Sequence, residues 1–109
     1  MRKFKFSYDR ENDDLLVFNP KSKSKGSIEL GDIIIDIGQK KEIVGLQLMN
    51  ASRLIKQLVS GKSLPEIKGI LNNLTECKAD IKVSNQLAMI RLCLSNGTNE
   101  VSPVISVPA

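Results

Sequence analysis

The sequence predicts an α+β domain with mostly antiparallel strands. Three observations carry that prediction. The apolar residues repeat with a period of two from Lys3 to Met49 and again from Cys77 onward, but with a period near 3.6 between Ala51 and Leu74. Short turn signals, above all Asn85-Gln86 and Asn96-Gly97, punctuate the last third at hairpin spacing. The 109 residues contain no internal repeat and no linker long enough to separate two cores. The expected order is ββββ-αα-βββ in a single domain, residues 1–109. A four-strand meander spans 3–49, a helical hairpin packed on the sheet spans 51–74, and a three-strand meander spans 76–107. Whether the two strand groups form one sheet or two is left open.

Each element has its own warrant. Lys3 to Tyr8 alternates strictly and puts Phe4, Phe6 and Tyr8 on one face of a half-buried strand. The polar run Asp9 to Asp14 turns the chain, and Leu15-Leu16-Val17-Phe18 returns as a central strand, apolar on both faces. Asn19 to Gly26 is a loop by composition. Ile28 to Ile37 is expected as one strand with a bulge at Gly31-Asp32. Ile43 to Met49 is the fourth, and Gly45 in its middle marks a close approach. Asn50 or Ser52 is placed to cap a helix whose apolar stripe is Leu54, Ile55, Leu58 and Val59, with Gly61 ending it. Ser63-Leu64-Pro65-Glu66 is a capping box opening a second helix, which carries Ile67, Ile70, Leu71 and Leu74.

The last hairpins can be put in register. A two-residue turn at Asn85-Gln86 sets Cys77, Ala79, Ile81 and Val83 opposite Leu94, Leu92, Ile90 and Ala88, all on one face. It also sets Asp80 opposite Arg91. A two-residue turn at Asn96-Gly97 would bring Val101, Pro103 and Ile105 opposite Leu92, Ile90 and Ala88. Pro103 cannot donate to a ladder, so this last strand is expected at an edge.

Composition bounds the function classes. Aromatic residues are 4% of the chain and Trp is absent, so the core is aliphatic. There is no histidine, which removes the usual general base and most zinc sites. Cys77 and Cys93 lack metal-ligand spacing, and the register places them on opposite faces, against a disulfide. Met1-Arg2-Lys3 is followed by alternation rather than an apolar run, and no stretch is long and apolar enough to span a bilayer, so a cytoplasmic protein without membrane contact is expected.

The order Tyr8-Asp9, Asp14-Leu15-Leu16-Val17, Gly31-Asp32-Ile33-Ile34-Ile35-Asp36 and Ile43-Val44-Gly45-Leu46-Gln47-Leu48, followed by Asn50-Ala51-Ser52, resembles domain-of-unknown-function family 2283. The family comprises small bacterial and archaeal proteins, and the resemblance runs from Phe4 to about Leu54. It implies a compact α+β unit of unsettled function, with an antitoxin-like role among the candidates. The chain departs from the family pattern at Gln47, where a carboxylate is usual, and at Gln39-Lys40-Lys41, where an acidic-glycine turn is usual.

Asp9 to Asp14 has oxygen ligands at alternate positions, like a calcium loop. However, Asp14 stands where the sharp-turn glycine belongs and Pro20 where the bidentate glutamate belongs, so a hairpin turn is the better reading. Asp32 and Asp36 would share a strand face about 13 Å apart, too far for a coupled acid–base pair. Cys93 lies beside Lys78 and Glu100, but without a histidine base nucleophilic catalysis is not expected. Leu87, Met89 and Val104 share one face of the final hairpins and form a candidate protein interface. Lys21, Lys23 and Lys25 carry much of the +4 net charge and are the candidate nucleic-acid contacts. No catalytic, metal or cofactor constellation emerges. The expected function is a non-enzymatic protein-binding or assembly module acting as a homo-oligomer; the alternative is a nucleic-acid binder acting through the basic loop.

Overall fold

The computed structural model describes residues 1–108. Five strands come first: β1 (Arg2–Asp9), β2 (Asp14–Phe18), β3 (Gly26–Leu30), β4 (Ile33–Ile37) and β5 (Ile43–Leu48). Two helices follow, α1 (Ala51–Leu58) and α2 (Leu64–Asn72), then β6 (Glu76–Ser84), β7 (Leu87–Ser95), β8 (Glu100–Val101) and β9 (Val104–Pro108). All strands join one antiparallel sheet in the order β3-β4-β5-β2-β1-β6-β7-β8, with β9 continuing on β7 beyond β8. β1 is the hinge between the two groups. Its second half pairs with β2 and its first three residues pair with β6.

One expected strand is two. Gly31 adopts a left-handed φ of 60°, which reverses the chain, and Leu30 pairs with Ile33 across the turn. Gly31-Asp32 marks the break, but a reversal of only two residues interrupts the run no longer than the expected bulge would. Asp32 therefore sits in a turn and Asp36 in β4, where its carboxylate accepts from the Ser27 hydroxyl at 2.7 Å. The two aspartates do not share a strand.

The register puts a continuous apolar surface on one side. Ile28 pairs with Ile35, Ile35 with Leu46, Leu46 with Val17 and Val17 with Phe6. Phe4 continues the row to Cys77, which pairs with Leu94, and Leu94 with Val101. Cross-strand partners point the same way, so these residues line the concave side of the curled sheet. The helical hairpin packs into that side. Ala51, Ile55, Ile67, Ile70 and Leu71 join Leu15, Leu48, Leu94 and Val101 in one buried cluster.

The helix ends are held differently from each other. α2 has the expected capping box: Ser63 Oγ accepts from the Glu66 N–H and Glu66 accepts from the Ser63 N–H, both at 3.2 Å. α1 is not capped by its own Asn50, which is left-handed at φ 52° and makes no side-chain cap bond. Ser52 does not cap it either. The cap comes from Asp13 in the β1–β2 turn, whose carboxylate accepts from the Ser52 N–H at 3.1 Å and from its hydroxyl at 2.6 Å. The helix ends at Val59 rather than Gly61, and Leu74 lies beyond the end of α2.

In the last third, the β6–β7 register is as expected at every position, from Cys77 opposite Leu94 to Val83 opposite Ala88. Asn85 and Gln86 both take positive φ, the two-residue turn that this twist requires. The next turn is longer. Asn96 to Asn99 form a four-residue loop in which the Asn96 carboxamide oxygen accepts from the N–H groups of Thr98 and Asn99. Val101 therefore faces Leu94 and Ile105 faces Ile90, a slip of two from the expected pairing. A slip of two keeps the same face inward, so the apolar pattern could not detect it. Pro103 separates β8 from β9 on the expected edge, where its carbonyl still accepts from the Leu92 N–H at 3.0 Å.

Candidate functional site

The helices cover only one end of the concave face. α1 starts where β5 ends, with the Ala51 N–H bonded to the Asp13 carbonyl at the β1–β2 turn. At the other end the apolar face is open, and a cleft of about 650 Å³ opens between the two wings of the sheet. Ile28, Ile35, Ile37 and Ile43 form one wall. Ile81, Val83, Ala88 and Val107 form the other. Its size lies in the range of small-molecule sites, which are mostly apolar with a few placed polar groups.

The polar groups at this mouth are Arg2, Lys41 and Glu42. Arg2 alternates in phase with Phe4, so it shares the concave face, and its guanidinium stands 5.3 Å from the centre of the Phe4 ring. Lys41 sits in the β4–β5 turn with a positive φ of 63°. Glu42 turns its carboxylate over Gly38, where a side chain at that position would collide with it. The ion pairs among the described residues are elsewhere, from Glu76 to Lys3 at 3.2 Å and to Lys78 at 3.4 Å. Those two lysines, Lys3 foremost, hold the Glu76 carboxyl below its ordinary range.

The expected site residues fall in three other places. Leu87 and Met89 are 42% and 46% exposed on the convex face of β7, and Val104 lies half-buried on the same side. Met89 and Val104 share a shallow depression with Asp80, Lys82 and Arg91. Asp80 does stand opposite Arg91, but the two form no ion pair. Lys21, Lys23 and Lys25 are exposed in the loop before β3, and Lys21 shares a groove with Lys3, Lys5 and Phe6. Cys93 lies opposite Lys78 with its thiol 3.6 Å from the Glu100 carboxylate, while Cys77 is buried on the concave side. Burial, with a smaller contribution from Cys93, pushes the Cys77 thiol up to about 12.

The acidic turn is occupied by its own contacts. Asp9 accepts from the Glu11 and Asn12 N–H groups and from the Asn12 carboxamide, and the Asn12 bonds hold its carboxyl low. Asp13 is committed to Ser52 and to the Tyr8 hydroxyl, which donates to it at 2.5 Å. Burial, then that bond, raises the Tyr8 phenol well above its ordinary value. Among the described residues no three His, Cys, Asp or Glu side chains converge on a metal position.

The model for Protein of unknown function (DUF2283) matches residues 5–52, and an uncharacterized protein of Methanocaldococcus jannaschii is 34% identical over 92 residues, covering 84% of this chain and 72% of that protein. The chain belongs to this family. The match runs from the middle of β1 to the first turn of α1, so it includes both ends of the Asp13–Ser52 cap. A Methanosarcina mazei protein provisionally named a hypoxanthine phosphoribosyltransferase is 29% identical over 101 residues, 93% of this chain and 73% of that protein. No solved structure matches the chain. No helix among the described residues is long and apolar enough to cross a membrane. Sequence reasoning missed Arg2 and Lys41 as candidates, and weighed Asp13 only as part of the acidic turn, not as the α1 cap. Arg2 was within reach, since its phase with Phe4 and Phe6 already directs it to the apolar face.

Proposed function

We propose that this protein is a non-enzymatic binding and assembly module that pairs with a second copy of itself through the convex face of β7 and β9. The observation that carries this reading is the exposure of Leu87 and Met89 beside both signs of charge. Asp80 and Arg91 lie next to the apolar residues and are not paired to each other, so a two-fold partner can offer Arg91 to Asp80 and Asp80 to Arg91. Such an interface pairs Asp80 and Arg91 reciprocally, with Lys82 as an excess cation, around an apolar centre. β9 continues on the β7 edge beside the patch, which extends the surface available to the partner.

The phosphoribosyltransferase name of the Methanosarcina mazei protein supplies the competing, enzymatic reading. An assay for phosphoribosyl transfer to hypoxanthine decides between them: turnover abolished by a single substitution in this chain would overturn the binding-module reading. Sedimentation equilibrium tests assembly. The wild type is expected as a dimer at micromolar concentration, and Met89→Glu as a folded monomer with unchanged far-UV circular dichroism. A wild type that stays monomeric at high micromolar concentration refutes the dimer. A Met89→Glu chain that unfolds shows that Met89 belongs to the core.

A further inference from the structure

We propose that the open end of the curled sheet is a binding site for a small apolar monocarboxylate, with the hydrocarbon in the cleft and the carboxylate between Arg2 and Lys41. The proposal is independent of the dimer, which uses the opposite face of the sheet.

The helices leave part of the apolar sheet face uncovered. An apolar sheet face is ordinarily buried against a second layer. Here α1 and α2 bury one end of that face, but Ile28 and Val83, at the other end, remain 45% and 66% exposed. The cleft between them is concave rather than flat and is walled by aliphatic side chains from both wings. Its shape and size suit a flexible hydrocarbon chain, and transfer of each methylene from water into such a site contributes favourably.

The rim supplies the polarity. Arg2 and Lys41 outnumber the single carboxylate, Glu42, which is turned over Gly38. Neither cation has an ion-pair partner among the described residues. Stacking on Phe4 holds the Arg2 guanidinium in place, so less freedom is lost when it takes a carboxylate. An anionic end on an apolar body is the one ligand polarity that uses both the walls and this rim. A neutral ligand leaves the cations unused, and a cationic one meets two like charges.

Isothermal titration with decanoate and with decanol, its neutral counterpart of equal length, separates the two contributions. The titrations use the full chain and are repeated in the Met89→Glu background, so that a failure of the dimer reading is distinguishable from a failure of this one. Decanoate is expected to bind one per chain, at least tenfold more tightly than decanol. Arg2→Gln combined with Lys41→Gln should remove that preference and leave decanol binding unchanged. Ile28→Glu, at an exposed wall position, should abolish both, with circular dichroism retained. If Ile28→Glu unfolds the chain, Val83→Glu on the opposite wall replaces it. No saturable decanoate binding, equal affinity for the two ligands, or binding that survives a charge on the wall would each overturn the proposal.

Discussion

Replacing Asp13 should cost more stability than any other single change at the surface of this protein, because one carboxylate joins the first hairpin to the helices. It caps α1 through the Ser52 N–H and hydroxyl, and it accepts from the Tyr8 hydroxyl. In Asp13→Ala the Ser52 side chain, fully buried, loses its acceptor. An unpaired buried hydroxyl costs about 1–3 kcal/mol, and loss of a helix cap about 1 kcal/mol. Residue 13 also has a positive φ of 55°, tolerable for Asp or Asn but strained for Ala, which adds about 1 kcal/mol. The expected loss is about 3–5 kcal/mol, a large part of the stability of a domain this size. Urea denaturation followed by circular dichroism measures it. Asp13→Asn keeps the left-handed preference and should cost about half as much. The double variant Asp13→Ala, Ser52→Ala should cost less than the sum of its parts, because removing the hydroxyl removes the unpaired donor. A loss below about 1 kcal/mol for Asp13→Ala, or strict additivity in the double variant, would refute the cap as a structural junction.

The other expectations are more local. Gly45→Ala should destabilise by about 1–3 kcal/mol in the same assay, because a Cβ there would stand 3.1 Å from the Val17 carbonyl and 3.2 Å from the Asp36 carboxylate. The raised Tyr8 phenol stays protonated in the fold after the unfolded chain has ionised, so its contribution is complete below the ordinary phenol value and is lost as pH rises past it towards the folded one. Tyr8→Phe should flatten that alkaline slope in pH-dependent denaturation. In the native protein, a thiol reagent should label Cys93 and spare Cys77 until the chain is unfolded, read by mass spectrometry. Changing Lys21, Lys23 and Lys25 to Ser should alter stability by no more than about 0.5 kcal/mol; if a salt-titrated gel shift detects nucleic acid at all, the same change should weaken it.

Much of the fold was legible because local chemistry left one solution. The Ser63–Glu66 capping box and the Asn85-Gln86 turn each depend on residues within one or two turns of chain, and both form as read. The Asn96 loop shows the limit. Asn-Gly signals a turn, but the Asn96 carboxamide instead organises a four-residue loop, and the resulting slip of two leaves every apolar residue facing inward. A pattern with a period of two distinguishes odd slips from none and is blind to even ones. The Gly31 reversal was half read: Gly31-Asp32 marked a break, but a two-residue turn and a bulge interrupt an apolar run equally briefly. The α1 cap escaped because its acceptor stands 39 positions away in sequence.

The candidate cleft was harder to foresee than any of these. Ile81, Val83 and Ala88 of its walls were assigned to an apolar face and Ile28, Ile35, Ile37 and Ile43 to strands, yet an apolar face read from sequence is a prediction of burial, not of a cavity. Whether it becomes core or cleft depends on how far the second layer reaches. α1 has eight residues and α2 nine, so at about 1.5 Å rise per residue each is roughly 12–14 Å long. β6 and β7 have nine residues each, and at about 3.3 Å per residue they run to roughly 30 Å. A helical hairpin less than half the length of the strands cannot cover them end to end. Since α1 is fixed at the Asp13 end by its cap, the uncovered stretch falls at the opposite end, where Ile81, Val83 and Ala88 meet Ile28 and Ile37. The helix lengths and the position of one cap therefore decide where the sheet stays open.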